Sequence, residues 1–286
     1  MQKINPFSIV FCVMAMACIA LLDTTNKLAL STLPLVMVLW WRYAFQALSS
    51  TVFLLPQLGL GLFKTKGLSL QILRGFLLFS CSFFGFKSLE FIPVAEFTAI
   101  GMLTPLMVTV LAKFFMKENI STRRWALIFG GFVGALMIVR PGGDIPLHAA
   151  IYPMCMVVFY AFFQILTSFM AKTQNPLSMH FFTGWIGTVF ASCLVLGAWT
   201  TDVSLFEFGL LILIGLCSTL GHYLLILAYA RAPASSITPY LYSSIAFATL
   251  FGWLVFHHVP DVLASLGIAL IVLCGVGCAV SNFFSK

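Results

Sequence analysis

The sequence predicts an all-α integral membrane protein, with ten transmembrane helices arranged as two inverted five-helix repeats. The first observation is composition: of 286 residues, 61% are hydrophobic and 8% are charged, against roughly 45–50% and 25% in soluble proteins. The second is a series of ten apolar runs, and the third is a set of ordered matches between the two halves. So few charges cannot cover a soluble surface, which excludes a disordered chain, a secreted disulfide scaffold and a nucleic-acid-binding domain.

Each apolar run is long enough to cross a bilayer as a helix, which requires about 20 residues. The first run resembles a signal peptide, but it exceeds the length of a signal h-region, so we interpret it as a retained helix. Pro93, Pro105, Pro233 and Pro239 mark places where helices can bend. In order, the predicted spans cover residues 7–30, 35–56, 70–89, 93–116, 123–140, 148–171, 177–198, 205–229, 233–256 and 261–283.

The distribution of basic residues predicts the orientation of the chain. With the N-terminus inside, eleven Lys and Arg residues lie at cytoplasmic ends of spans and three at the opposite ends. Cytoplasmic loops of membrane proteins are enriched in Lys and Arg, so we expect both termini to be cytoplasmic. The net charge of +7 has the same explanation, and we expect no nucleic-acid partner. All eight cysteines lie within apolar runs, which is typical of packing residues.

An internal repeat is indicated by matches that keep their order along the chain. At an offset of 140 residues, Gly75, Pro93, Thr98 and Thr109 each meet an identical residue in the second half. The matching segments lie five spans apart, and an odd number reverses the direction in which the second copy crosses the membrane. We therefore predict inverted repeats at residues 1–142 and 143–286, an arrangement that supports alternating access to a site near the bilayer midplane.

The segment from residue 74 to 142, which contains SLEFIPVAEFTAIGMLTPL, resembles an EamA domain of the drug/metabolite transporter superfamily. The segment GHYLLILAYARAPASSITPYLYSS is similar to its second copy, and WWRY at 40–43 resembles the Arg-bearing second span of the family. The resemblance covers nearly the whole chain and implies a ten-span secondary transporter. Members of the family transport amino acids, amines, nucleobases, riboflavin or S-adenosylmethionine, so the resemblance does not identify the substrate. The chain departs from the family at His257-His258, where a Gly-Glu or similar pair is common.

Ionisable residues within spans are costly in a bilayer and need a partner or a water-filled cavity. Asp23 lies one turn from Lys27, which predicts either a self-neutralising pair or a charged vestibule wall, with Asp23 as a candidate for proton coupling. Arg42, with Gln46 one turn further, either joins helices by pairing with Asp23 or Glu96, or binds substrate. Glu96, in the first turn of the fourth span, is either stabilised by the helix N-terminus or couples protons while pairing with Arg42 or Lys27.

Polar aromatic side chains and their neighbours are further candidates for substrate binding, because buried Tyr and Trp require polar partners. Tyr160 and Gln164 lie one turn apart in the sixth span, and Trp185, His222 and Tyr240 lie in the three spans that follow. His222 has a second interpretation, as an interhelical hydrogen-bonding residue. Together with Arg42, Gln46 and Glu96, these side chains predict a mostly apolar, aromatic pocket that suits a planar or aromatic metabolite.

These features predict a secondary transporter that moves a small organic metabolite across the bacterial cytoplasmic membrane by alternating access. The first alternative is a drug or amine exporter of the same fold, and a second alternative is a membrane-embedded enzyme. No P-loop, HExxH or GxSxG motif is present, so we expect no catalysis, cofactor or metal site, and a proton or substrate gradient as the energy source. Besides substrate and membrane lipid, a second copy of the chain is a possible partner, because Gly130 and Gly134 allow close helix approach.

Overall fold

The computed structural model describes residues 6–65, 67–116, 122–139, 147–170, 174–231 and 240–284. In these ranges the chain forms eleven α-helices, with short 3₁₀ turns at Gly59–Phe63 and Leu147–Ala150. The helices are α1 Pro6–Ala29, α2 Leu35–Leu58, α3 Leu68–Leu89, α4 Val94–Gly101, α5 Thr104–Met116, α6 Thr122–Val139, α7 Ile151–Met170, α8 Pro176–Val195, α9 Leu205–Arg231, α10 Ser243–Phe256 and α11 Val262–Phe284.

The helices correspond to the ten predicted spans, with α4 and α5 sharing the fourth. An α-helix satisfies its own backbone hydrogen bonds, which a chain in lipid requires, so the all-α membrane fold is confirmed. Within the described residues, five helices are long and apolar enough to cross a membrane: Phe7–Ala29, Leu35–Phe63, Leu68–Leu89, Leu177–Val195 and Leu205–Leu225. Shorter apolar helices lie at Val94–Val108, Trp125–Ile138, Ile151–Thr167, Ser243–Phe256 and Val262–Gly277.

The fourth span is broken between α4 and α5, where the sequence predicted one continuous run. Proline has no backbone N–H, and a proline ring inside a helix clashes with the carbonyl four residues earlier, so a regular helix is not expected to continue through position 105. The Thr104 hydroxyl donates to the Gly101 carbonyl at 2.7 Å, which satisfies an acceptor that the break leaves open. The bend expected at Pro105 is present, whereas Pro233 and Pro239 lie outside the described residues.

Helix packing follows a two-fold relation between the halves. The first helix α1 packs along α9, and its counterpart α7 packs along α3. In the same way, α1 packs against α10 as α7 packs against α5, while α2 pairs with α8 and α6 pairs with α11. Exchanging the two halves reproduces the same helix pairs, as expected for two copies of a five-helix unit. The predicted boundary at residue 142 lies outside the described residues.

Glycines bring α6 and α11 into close contact at the side of the bundle. A Cβ on Gly134 would lie 2.8 Å from the Gly267 carbonyl oxygen, and a Cβ on Gly267 would lie 2.6 Å from that of Gly134. A Cβ on Gly130 would lie 2.7 Å from the Cys274 sulfur. Such distances leave room only for hydrogen, so these small residues join the fifth and tenth spans within one chain. The homodimer stays a prediction.

Candidate functional site

A cavity of about 170 Å³ lies between helices of both repeats. Among the described residues, the cavity is lined by α1, α2, α3, α4, α5, α7, α9, α10 and the short segment that precedes α10. No lining residue comes from α6, α8 or α11. Five residues predicted to bind substrate or protons line it together: Asp23, Arg42, Tyr160, Gln164 and His222. The two repeats therefore share one polar centre inside an apolar bundle.

Arg42 is held at the cavity wall by hydrogen bonds to two other helices. Its Nη1 donates to the Ser82 hydroxyl on α3 at 2.6 Å, and its Nε donates to the Ser218 hydroxyl on α9 at 3.2 Å. The guanidinium carbon lies 5.2 Å from the centre of the Tyr43 ring and 5.8 Å from that of Phe86. An Arg side chain does not deprotonate in proteins, so these contacts orient a permanent positive charge at the cavity.

Asp23 brings a carboxyl group to the same cavity. Among the described residues, no hydrogen-bond or ion-pair partner contacts its carboxylate. Lys27, one of the partners considered from the sequence, instead donates to the backbone carbonyls of Leu89 at 2.5 Å and Ile92 at 2.9 Å. The predicted pairing of Asp23 with Lys27 is therefore wrong, and Asp23 and Arg42 face the cavity without a salt bridge between them.

Most of the remaining wall is apolar or aromatic. Unbranched thioether side chains adapt to irregular shapes and make favourable contacts with aromatic rings. Aromatic side chains offer flat surfaces on which a planar ligand can pack. His222 adds a polar group whose Nδ1 lies 2.7 Å from the Ser218 carbonyl oxygen. The sulfur-containing and aromatic side chains at the cavity are Met16, Cys81, Phe86, Phe97, Met102, Met156 and Tyr160.

The described cavity wall does not include four residues predicted to bind substrate: Gln46, Trp185, Tyr240 and Glu96. The Gln46 amide nitrogen lies 3.3 Å from Nδ1 of His180, in a buried contact between α2 and α8. Trp185 is 39% exposed, and its indole N–H donates to the Thr51 hydroxyl at 3.0 Å. Tyr240 packs against an apolar cluster formed by α1 and α9. Gln46, Trp185 and Tyr240 therefore have partners or packing outside the cavity wall.

Glu96 lies beside the cavity and is 5% exposed, while the two residues that follow it, Phe97 and Thr98, line the wall. Its Oε1 lies 2.8 Å from Nε2 of His258. This contact joins α4 in the first repeat to the segment after α10 in the second repeat. Neither Arg42 nor Lys27, the expected partners, makes a salt bridge with Glu96 among the described residues. His258 occupies the position at which the chain departs from the family pattern.

Ser82 and Ser218 both orient Arg42, but neither was predicted from the sequence as a site residue. The repeat could have identified Ser82, because Ser82 corresponds to His222 at the offset of 140 residues. Both side chains line the cavity. No comparable signal identifies Ser218, since its contact depends on how closely α2 approaches α9.

Known proteins share this architecture along nearly the whole chain. The model of the EamA-like transporter family matches residues 6–140 and 147–281. The S-adenosylmethionine uptake transporter of Rickettsia bellii is 28% identical over 242 residues, which are 82% of this chain and 80% of that protein. The riboflavin transporter of Brucella anthropi is 27% identical over 84% of this chain and 86% of its own length. The pseudopaline exporter of Pseudomonas aeruginosa is 26% identical over 93% of each chain.

A solved crystal structure has the same fold, with a TM-score of 0.68 at 15% identity, and the match covers 97% of this chain and 96% of the other. The family match occurs twice in succession, as the ordered matches between the two halves predicted. The chain therefore belongs to the EamA-like transporter family, and it is a multi-pass membrane protein that transports small metabolites.

Proposed function

We propose that the substrate is a small amphipathic metabolite with a cationic group, a carboxylate and a flat ring. The observation that carries this proposal is the Asp23 carboxylate, which has no hydrogen-bond or ion-pair partner among the described residues and shares a cavity with the Arg42 guanidinium. An unpaired charge inside a membrane protein is costly, and charge-assisted hydrogen bonds are stronger than neutral ones. A ligand that offers a cation to Asp23 and a carboxylate to Arg42 would satisfy both groups at once.

The wall around these charges supports a flat, apolar portion of the ligand. Phe86, Phe97 and Tyr160 come from three different helices and border one space. A planar ring can pack against such side chains in offset or edge-to-face arrangements. Gln164 and His222 supply neutral hydrogen-bonding groups for polar atoms at the edge of that ring.

S-adenosylmethionine has this chemistry, because it carries a sulfonium, an ammonium, a carboxylate and an adenine ring. It is our first candidate, and one similar protein is an S-adenosylmethionine uptake transporter. Riboflavin is the second candidate, since another similar protein is a riboflavin transporter, but its uncharged ring would offer no opposite charge to Asp23 or Arg42. The alternative is a drug or amine exporter, which moves its substrate out of the cell. Its cationic substrate would interact with Asp23 and would not need Arg42.

The test is ligand-induced stabilisation of the detergent-purified protein. S-adenosylmethionine should raise the unfolding midpoint in proportion to its occupancy, and S-adenosylhomocysteine, which lacks the sulfonium charge, should do so less. Asp23→Asn should weaken S-adenosylmethionine binding about 10- to 100-fold, the loss expected for a hydrogen bond to a charged group. Asp202→Asn is the matched control, because Asp202 is exposed outside the bundle.

Two outcomes contradict this assignment. Stabilisation by riboflavin alone would assign the cavity to a neutral flat ligand, and equal S-adenosylmethionine affinity in the wild type and Asp23→Asn would remove the charge argument. Stabilisation by many unrelated cationic amphiphiles would favour the exporter.

We further propose that the protein lies in the cytoplasmic membrane of a bacterium with both termini inside. The excess of Lys and Arg at one set of helix ends supports this orientation, and the similar transporters are bacterial. Rocking of the two repeats about the shared cavity would expose it to each side in turn, driven by a proton or substrate gradient and without chemical change of the substrate. Accumulation in proteoliposomes that responds to an imposed pH gradient tests the energy source.

A further inference from the structure

Side chains from both repeats meet at one end of the cavity, one turn beyond Asp23. Lys27 on α1 binds the carbonyls of Leu89 and Ile92, between α3 and α4. Next to this contact, His258 binds Glu96 and so connects the second repeat to α4. According to the charge distribution, this end faces outward. The Glu96–His258 contact therefore lies between the cavity and the outer surface, and it must break if the two repeats separate there.

The two partners differ sharply in exposure. The Glu96 side chain is 6% exposed, whereas that of His258 is 37% exposed. Oε1 of Glu96 contacts His258, whereas its buried Oε2 has no hydrogen-bond partner in the described part of the chain. His258 thus connects the surface to a buried carboxylate that still has an open position for a proton.

The effect of protonating Glu96 depends on the other charged groups at this end of the cavity. If Glu96 becomes neutral, Lys27 loses the attraction of that carboxylate, and the hydrogen bond between Glu96 and His258 is no longer charge-assisted. Lys87 and Glu90 form their own exposed pair at 2.6 Å. The elements at this end of the described structure carry these other charged or titratable groups: Asp23 and Lys27 on α1, Lys87 and Glu90 at the end of α3, Tyr152 on α7, and His257 and Asp261 near His258 in the sequence.

We propose that His258 relays protons between the outer surface and Glu96, and that the Glu96–His258 contact closes the outer end of the transport path. His258 takes a proton from outer water at Nδ1 and passes its Nε2 proton to Oε1 of Glu96, which leaves a neutral imidazole and a neutral carboxylic acid. Protonated Glu96 still donates its O–H to Nε2 of His258, but this neutral hydrogen bond is weaker than the charge-assisted one. The carboxyl group also no longer attracts Lys27, so the outer end opens. This relay rests on proton coupling, one of the two energy sources proposed above, and it adds His258 to the residues that carry transport.

Infrared difference spectroscopy on the reconstituted protein between pH 8 and pH 5 tests the relay without any substrate. The band of a protonated carboxylic acid that is lost in Glu96→Gln belongs to Glu96. After a jump from pH 8 to pH 5, that band should appear at least about tenfold more slowly in His258→Gln, which keeps a hydrogen-bond donor but cannot relay a proton. His257→Asn is the matched control, because the adjacent His257 is exposed and Asn tolerates its positive φ of 53°. An unchanged rate in His258→Gln, or no band that depends on Glu96, overturns the relay.

Cys81, which lines the cavity, is a native reporter for outer closure. A membrane-impermeant thiol reagent is added to right-side-out vesicles, and modification of the Cys81 peptide is followed by mass spectrometry, with Cys81→Ser identifying the background. His258→Ala should raise the labelling rate about tenfold, as expected if a minor open state becomes the major one, while His257→Asn should not. Equal rates in the two variants would overturn the closure. Because neither measurement uses a ligand, failure here leaves the substrate assignment intact, and failure of the ligand panel leaves this test intact.

Discussion

The two roles open to Arg42, joining helices and binding substrate, predict different consequences for Arg42→Gln. The structure gives Arg42 two interhelical hydrogen bonds, one to Ser82 at 2.6 Å and one to Ser218 at 3.2 Å. It also gives the guanidinium a place on the cavity wall. The perturbation removes the charge and both bonds, so a second variant that removes only the bonds is needed. Ser82→Ala combined with Ser218→Ala does this.

The magnitudes of the two effects differ enough to be separated. Interhelical hydrogen bonds in membrane proteins contribute about 0.6 kcal/mol each on average, so both variants should lose about 1 kcal/mol of stability. Truncating one partner of a buried charge pair costs about 2–5 kcal/mol in binding, which corresponds to at least about 30-fold in affinity. The loss of affinity in Arg42→Gln should therefore far exceed its loss of stability, and the double serine variant should show only the smaller effect.

The assay combines S-adenosylmethionine binding to the purified protein, measured by calorimetry, with detergent-induced unfolding of the same samples. We expect Arg42→Gln to bind at least about 30-fold more weakly than the double serine variant, with similar unfolding curves. If both variants bind with the same affinity, Arg42 acts through its helix contacts alone, and the proposed carboxylate partner is refuted.

The packing of the bundle gives two further predictions. Gly134→Ala should destabilise the protein by about 1–2 kcal/mol, because a Cβ there overpacks the α6–α11 contact, whereas Gly61→Ala, with nothing within 4 Å, should leave the unfolding curve unchanged. Wild-type unfolding of Gly134→Ala would show that the helices can separate at no cost. Trp185→Leu should leave ligand affinity unchanged, since Trp185 lies outside the cavity, while Tyr160→Leu should weaken it. An equal loss of affinity in both variants would contradict the described cavity wall.

The fold could be predicted from the sequence because its determinants are local. Length and apolar composition decide whether a segment spans a membrane, and the need to satisfy every backbone polar group then leaves a helix as the solution. The proline that breaks the fourth span at Pro105 is a local signal of the same kind. The ordered matches at an offset of 140 identified the two repeats, and therefore the existence of a shared centre.

Asp23, Arg42, Tyr160, Gln164 and His222 could be predicted as a group because polar side chains in apolar spans avoid lipid. Trp185 and Tyr240 could not be told apart from them, since both are amphipathic side chains that also occur at helix surfaces and inside apolar packing. The rotation of a helix about its own axis decides which way such a side chain points. Packing against neighbouring helices sets that rotation, so the rotation cannot be inferred from a single sequence.

The spans, the two repeats and the identity of most charged residues near the centre follow from local patterns in the sequence. The pairing of those residues follows from how the helices pack. Lys27 binds backbone carbonyls, so Asp23 has no partner among the described residues, and Glu96 meets His258 across 162 residues of chain. The physical reason is that a hydrogen bond between distant helices requires both the register and the separation of those helices, and these result from the packing of the whole bundle.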